Sequence, residues 1–484
     1  MKKVNLLAAA VVAATFMAPA ANAALNADTA LKGDVSYFRA AVFSKHFDSN
    51  PNDVGRLGNE NDTYIELSPG VTLAEVDNTQ WDFRTTFAMQ SRKQGAWQDT
   101  SSDLTFANTQ AFLRVSGMLD FDPNAVIWVG KKYVRTDSHL VDQYWRNTSG
   151  NGVGIENLSL GSGNFRANWT RRDSDATFAS TLENEFADFN KYEYFETDVA
   201  NFKNGEKTYF GFKKAGFSGA VSPKYISTNL FDVDYGFAPV DGTWLDLGYT
   251  LITPQRYSSE YSSFAYKLAR DLSNGHMLTL GFGEALLGGW NNTYVRYITG
   301  STAFSGFGDG TWLQNNASSS TYTWDFLDFG NVRFTDRVLM YYHIRGTVNG
   351  GYDNVLTNLR KSKAFQLVVR PELQLTKMTK VAAEFGMYTK SDSYTDAKLN
   401  TNAQQQKATL AYVLCPDASA FYNRPEIRFF VTYKHAGHSV GEYASFKGDY
   451  NHVVKSDSGT LETVSYGRNR DNVTVFGVQA DAWF

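Results

Sequence analysis

Most of the chain's compact chemistry lies in one stretch, RTDSHLVDQYWR from Arg135 to Arg146, which holds Arg135, Asp137, His139, Asp142, Tyr144 and Arg146. Two carboxylates five residues apart with a histidine between them could act as a general acid and base. They could equally line a wet passage, where both signs of charge meet the hydroxyls of a passing solute. A dry core is excluded, because unpaired buried charges cost roughly several kcal/mol each. Hydrolysis would also require an activated nucleophile with an orienting group. None of His46, His139, His276, His343, His435, His438 and His452 sits in a nucleophile motif. No His/Cys/Asp/Glu spacing fits a metal set. The sequence therefore points away from an enzyme, and it calls for no cofactor or metal. The stretch reads as a loop, either on a solvated surface or folded into a water-filled lumen.

The elements around it decide which. Residues 1–23 have the form of a secretory signal peptide: Lys2 and Lys3, an apolar run from Leu6 to Ala18, then Ala21-Asn22-Ala23 as a cleavage site. The mature chain, 24–484, is thus expected to be exported as one unit, since no Pro-rich or Ser-rich hinge and no like-charge block divides it. Its single cysteine, Cys415, excludes an internal disulfide framework. Aromatics reach 15% although the chain is polar on average and nothing after residue 23 resembles a membrane-spanning helix. That combination suits a barrel whose strands alternate apolar-out and polar-in between aromatic girdles. A net charge of −4 argues against a nucleic-acid partner.

Period-two alternation recurs along the chain. Between Val35 and Phe43, Tyr37, Arg39 and Ala41 share one face, while Ser36, Phe38, Ala40 and Val42 share the other. In Asp62–Ser68, Tyr64 and Glu66 oppose Ile65 and Leu67. Arg424, Glu426, Arg428, Thr432 and Lys434 oppose Ile427, Phe429, Val431 and Tyr433. At the C-terminus Gln479, Asp481 and Trp483 oppose Phe476, Val478, Ala480, Ala482 and Phe484. Polar segments expected to be long loops are 45–59, 90–103, 135–152, 299–321, 390–406 and 435–470, the last two solvated. At ~10 residues per strand the chain accommodates roughly 16 to 20 strands. A barrel that wide has an aqueous lumen, into which the 135–152 loop can fold.

RLGNENDTYIEL (56–67), VIWVGKKYVRTDSHLVDQYW (126–145), SGNGVGIEN (149–157), YNRPEIRFFVTY (422–433) and the ending from Val475 to Phe484 resemble the maltoporin family of sugar-specific outer-membrane porins. Matching blocks run in order from near Val35 to the last residue, thinning between about 170 and 280. The resemblance implies an all-β transmembrane antiparallel barrel of 18 strands with an inward-folded constriction loop. It also implies a homotrimer in the lipid bilayer of the outer membrane, and facilitated diffusion of maltose or maltodextrin-like oligosaccharides. The alternative is a general diffusion porin, or one for another saccharide of the sucrose type.

The family guides sugar along a ladder of aromatic faces flanked by charged groups. Its rungs match Tyr37, Tyr64, Trp97, Trp290, Tyr422 and Trp483, and its polar track matches Arg39, Arg56, Glu66, Arg135, Asp137 and Asp142. Tyr144 matches the tyrosine that narrows the constriction and is lost in wider, sucrose-accepting relatives. In the family, the loop that carries Trp97 here reaches into the neighbouring subunit's pore. Two departures stand out: Thr105 replaces an arginine, and Asn147 replaces a carboxylate. The family's disulfide in its first long loop is absent too, since no cysteine lies there.

Overall fold

A computed structural model describes residues 36–45, 51–91, 104–174, 192–201, 206–214, 226–254, 272–314, 317–352, 359–394, 400–440, 450–455, 461–466 and 470–483. Residues 1–23, expected to be a signal peptide, and Trp97 and Phe484 lie outside these.

The main sheet is wholly antiparallel and comprises 19 hydrogen-bonded segments. Two of them, Thr63–Leu67 and Gly70–Val76, pair with the same strand, Thr79–Ser91, on either side of Ser68-Pro69. Pro69 has no N–H for the ladder, and its carbonyl instead accepts from Thr85 N at 3.1 Å. Taken as one interrupted strand, they leave an 18-stranded barrel among the described residues. The first strand, Tyr37–Phe43, closes it against the last, Arg470–Trp483, in a register that sets Tyr37 opposite Trp483 and Arg39 opposite Asp481. Hairpins of Tyr192–Asn201 with Glu206–Lys214, and of Tyr450–Lys455 with Leu461–Tyr466, stand apart from the barrel sheet.

Alternation sets which way each strand faces. In Gly275–Leu286, His276, Leu278, Leu280 and Phe282 are exposed while Met277 and Thr279 are buried. Ile427, Phe429, Val431 and Tyr433 are exposed outward, and Arg428, Thr432 and Lys434 are buried inward. An apolar outer band around a polar interior is what a bilayer outside and water inside require. Solvated loops hold more strand than expected at two places. In 435–470, the strand Glu426–Val440 runs on past His435, and Tyr450–Lys455 pairs with Leu461–Tyr466. Of the 390–406 stretch only 395–400 lies between strands, because Thr379–Tyr394 and Thr401–Leu414 extend their ladder past the apolar band. Polar residues there pair as strand above the membrane.

The lumen is filled from the inside by three segments among the described residues. Residues 51–62 open with a helical turn, Pro51–Val54, and are bolted to the far wall. The Leu57 carbonyl accepts from Lys407 Nζ (2.6 Å) and Thr409 Oγ1 (3.1 Å), and Leu57 N donates to Glu384 Oε1 at 3.0 Å. Gly58, at φ +60, comes so close that a Cβ would sit 2.3 Å from Thr432 Oγ1. Only glycine fits there.

The second segment is the 135–148 loop, an inward constriction as expected. It forms a hairpin of Arg135–Asp137 with Tyr144–Asn147, and its apolar tip, Leu140 and Val141, packs on Leu339, Tyr341 and Val368. The third, 300–314, was expected only as a long loop, yet it also folds inward. Its carbonyls at Gly306, Gly308 and Asp309 accept from Thr347, Arg345 and Arg296 of the wall at 2.7, 2.7 and 2.9 Å.

Candidate functional site

Closing the barrel brings the two chain ends together and assembles a line of rings. Tyr37 and Trp483 face the lumen from paired positions on adjacent strands, with ring centroids 6.4 Å apart. Tyr64, from the neighbouring strand, lies 5.9 Å from Tyr37. Tyr422, in the turn before Glu426–Val440, lies 6.3 Å from Trp483. The line then crosses to the constriction loop. His139 stands edge-on to Tyr422 at 5.1 Å and to Trp290 at 6.3 Å. All these separations fall within the ~4.5–7 Å of interacting ring pairs. Five of the six expected aromatic positions therefore share one path, and the sixth, Trp97, is outside the described residues.

His139 joins the path through an unusual backbone. Its φ is +68, in the left-handed region that non-glycine residues seldom adopt. Leu140 N reaches back to Ser138 O at 2.8 Å, making a three-residue γ-turn. Ser138 Oγ bonds His343 Nδ1 at 2.7 Å, and His343 Nε2 bonds Gln366 Oε1 at 2.9 Å. Because an amide oxygen only accepts, the proton must sit on Nε2, and Ser138 donates to Nδ1. This buried relay fastens the strained turn to the wall. Burial holds the His139 imidazole below its ordinary range; Asp137, 3.2 Å away, pulls the other way, and Arg56 adds to the lowering. Burial thus favours the neutral ring.

The charged residues flank this line. Arg39 is held by Glu60 (2.6 Å) and Asp62 (2.7 Å), and Arg56 by the same Glu60 (2.8 Å) and by the Tyr37 hydroxyl (3.2 Å). Tyr64 donates to Glu66 at 2.5 Å. Arg135 lies between two rings, its guanidinium carbon 3.5 Å from the Tyr133 centroid and 4.2 Å from that of Tyr144, with Glu66 at 3.9 Å. Such stacking suits a planar guanidinium and leaves its edge N–H groups available. Asp137 pairs with His139, and Asp142 is exposed on the same loop. On the departing positions, Thr105 is exposed, and Asn147 Oδ1 accepts from Arg172 at 3.1 Å.

Sequence reasoning passed over Glu60, Tyr133, Phe329 and the role of His139, and placed Asp62 on the face of Tyr64 and Glu66 without giving it a role. Glu60 stands four residues after Arg56, and Phe329 shares strand parity with the inward Asp325 and Leu327, so both carried a readable signal. His139 carried none, because the γ-turn that aims it depends on His343 more than 200 residues away.

The model of the family described as LamB porin matches residues 37–484. A relative named Maltoporin 1, from Klebsiella pneumoniae, is 27% identical over 98% of this chain and 97% of its own. Maltoporin 2 of Yersinia pseudotuberculosis is 25% identical over 89% and 88%. Among solved structures, Acinetobacter baumannii OccAB2 matches at a TM-score of 0.46, with 7% identity over 94% of this chain and 99% of that one. With the family model spanning nearly all of the barrel, the chain belongs to the LamB porin family of outer-membrane β-barrel proteins.

Proposed function

We propose that the protein is a sugar-selective channel giving facilitated diffusion of linear, maltodextrin-like oligosaccharides across the outer membrane. The observation that carries this reading is the line of rings from Tyr64 through Tyr37, Trp483 and Tyr422 to His139 and Trp290. A pyranose has apolar C–H faces and a rim of hydroxyls. Evenly spaced rings meet the former, each contact worth ~0.5–1.5 kcal/mol. Arg39, Arg56, Glu66, Arg135, Asp137 and Asp142 meet the latter. Near-equal sites in sequence let a chain slide by one ring at a time, bound well enough to enter and weakly enough to leave. Tyr144, stacked on Arg135, forms the narrowing.

In this reading the exported mature chain works as a homotrimer, and Trp97 adds a first rung from the neighbouring subunit's loop. Single-channel recording with maltotriose, maltohexaose and sucrose tests the proposal. Saturable block that tightens with maltodextrin length is expected. Conductance indifferent to all three sugars at high millimolar levels would replace sugar selectivity with general diffusion.

A further inference from the structure

The rings do not stop at Trp290. Phe329 stands edge-on to it at 5.8 Å, Tyr294 stacks on Phe329 at 6.2 Å, and Trp244 lies 5.8 Å beyond Tyr294. Trp244 sits at the start of Thr243–Pro254, beside the rim of short turns, and borders a recess of about 460 Å³ beneath the constriction loop. That volume lies in the ~300–1,000 Å³ range of small-molecule sites.

The recess is built, not left over. Trp145 of the constriction loop lines it, 2% exposed, and its indole N–H finds no acceptor among the described residues. Arg166, also in the lining, has a buried Nε–H in the same condition. The strand ladder slips at this spot as well. The register of Gly163–Ser174 against Gly150–Leu160 shifts between Phe165 and Ala167, so that Glu156 and Asn157 both lie opposite Arg166, and Asn157 takes φ +59. Bulges of this kind re-aim side chains beside functional sites. Here both bulge residues line the recess.

We propose that this recess is a second saccharide subsite, set off from the main line of rings, that takes one neutral hexopyranose unit at the short-turn side of the channel. The inference rests on the sugar-conducting reading above. Trp244 offers the platform for the sugar's C–H face. Arg166, its side chain about a third exposed, donates to its oxygens from the outer guanidinium N–H groups, and Asp246 and Asn157 serve its hydroxyls. The lining charges are already paired within the chain: Arg146 with Asp234, Arg166 with Asp234, and Glu156 with Lys132. A neutral sugar fits such a setting, whereas a sugar acid would have to break an existing pair.

The test uses full-length channels inserted in one orientation in a planar bilayer, with maltohexaose added to either side. In Trp244→Ala the association constant for sugar added at the short-turn side should fall by about three- to ten-fold, the size of one aromatic contact. Sugar from the long-loop side should be much less affected, and Trp244→Phe should restore most of the loss. Arg166→Gln should show the same sidedness and carries the test if Trp244→Ala forms no open channels. Wild-type channels not blocked by sugar would sink the sugar reading itself. Wild-type block that neither variant alters from the short-turn side would overturn the subsite alone.

Discussion

Two sides of the lumen are built from the same residue types and do different things with them. On one side, Asp325 lies between Arg296 and Arg345, and Glu384 lies between Arg370 and Lys407, all with side chains at most 4% exposed. The surplus cations there are absorbed by backbone carbonyls of Gly308, Asp309 and Leu57. These clusters tie wall strands to one another and, through those carbonyls, hold the inward segments to the wall. On the other side, the seam of first and last strands is itself closed, with Arg424 and Arg428 sealed against Glu426 and Asp481, but Arg56 and Arg135 of the inward segments beside it remain about a fifth exposed, at 22% and 23%. Closed ion clusters fix shape; open ones keep capacity for a solute. Between Arg345 and Arg135, exposure and not residue type separates scaffold from site.

The comparison breaks most sharply at Asp325. Asp325→Asn leaves two buried guanidinium groups without their shared carboxylate, and losing one member of a buried pair costs ~3–5 kcal/mol. A clear drop in the thermal unfolding midpoint by circular dichroism is expected. An unchanged midpoint would mean that this side is not the anchor. On the open side, Arg135→Ala should leave unfolding nearly untouched while weakening sugar block about ten-fold or more, since hydrogen bonds to a charged donor are worth ~1.5–3 kcal/mol. Titrating ion current with maltohexaose reads this directly. Tyr422→Ala removes one rung and should weaken the same block about two- to ten-fold.

The smallest effect concerns pH. With its pKa held below the ordinary 6.5, His139 remains neutral as pH falls through that value and charges only further down. Any change in sugar block caused by charging His139 should therefore appear at a lower pH than an unshifted histidine would set.

Strand direction and the chain-end seam were legible because alternation is a local property: Tyr37, Arg39, Asp481 and Trp483 face inward by parity alone. The aromatic positions were legible through resemblance and then through parity. The inward folding of 51–62 and 300–314 was not. What draws Leu57 in is Lys407, 350 residues away, and what draws Gly308 in is Arg345 and Arg296 on separate strands. Lys407 and Arg345 lie outside any local window, and Arg296, 12 residues before Gly308, belongs to a different element from it. The 395–400 connection was overestimated because polar residues above the membrane look alike in strand and in loop.

One small contact has a bearing on how this channel can be altered. Thr311 Oγ1 lies 2.9 Å from the backbone carbonyl of Asn147 and 2.8 Å from Asp309 Oδ1, which share its single proton, and Arg172 Nη1 donates to the same Thr311 hydroxyl at 2.8 Å. The two inward loops are therefore latched to each other, not only to the wall. The latch uses the main chain at 147 and a side chain at 311, so the two positions have unequal freedom. Residue 147 can drift in identity without releasing its neighbour, as the asparagine there illustrates, while residue 311 must keep a hydroxyl. In a chimera that exchanges loops between relatives, the transferable module is the pair 135–148 and 300–314, moved together.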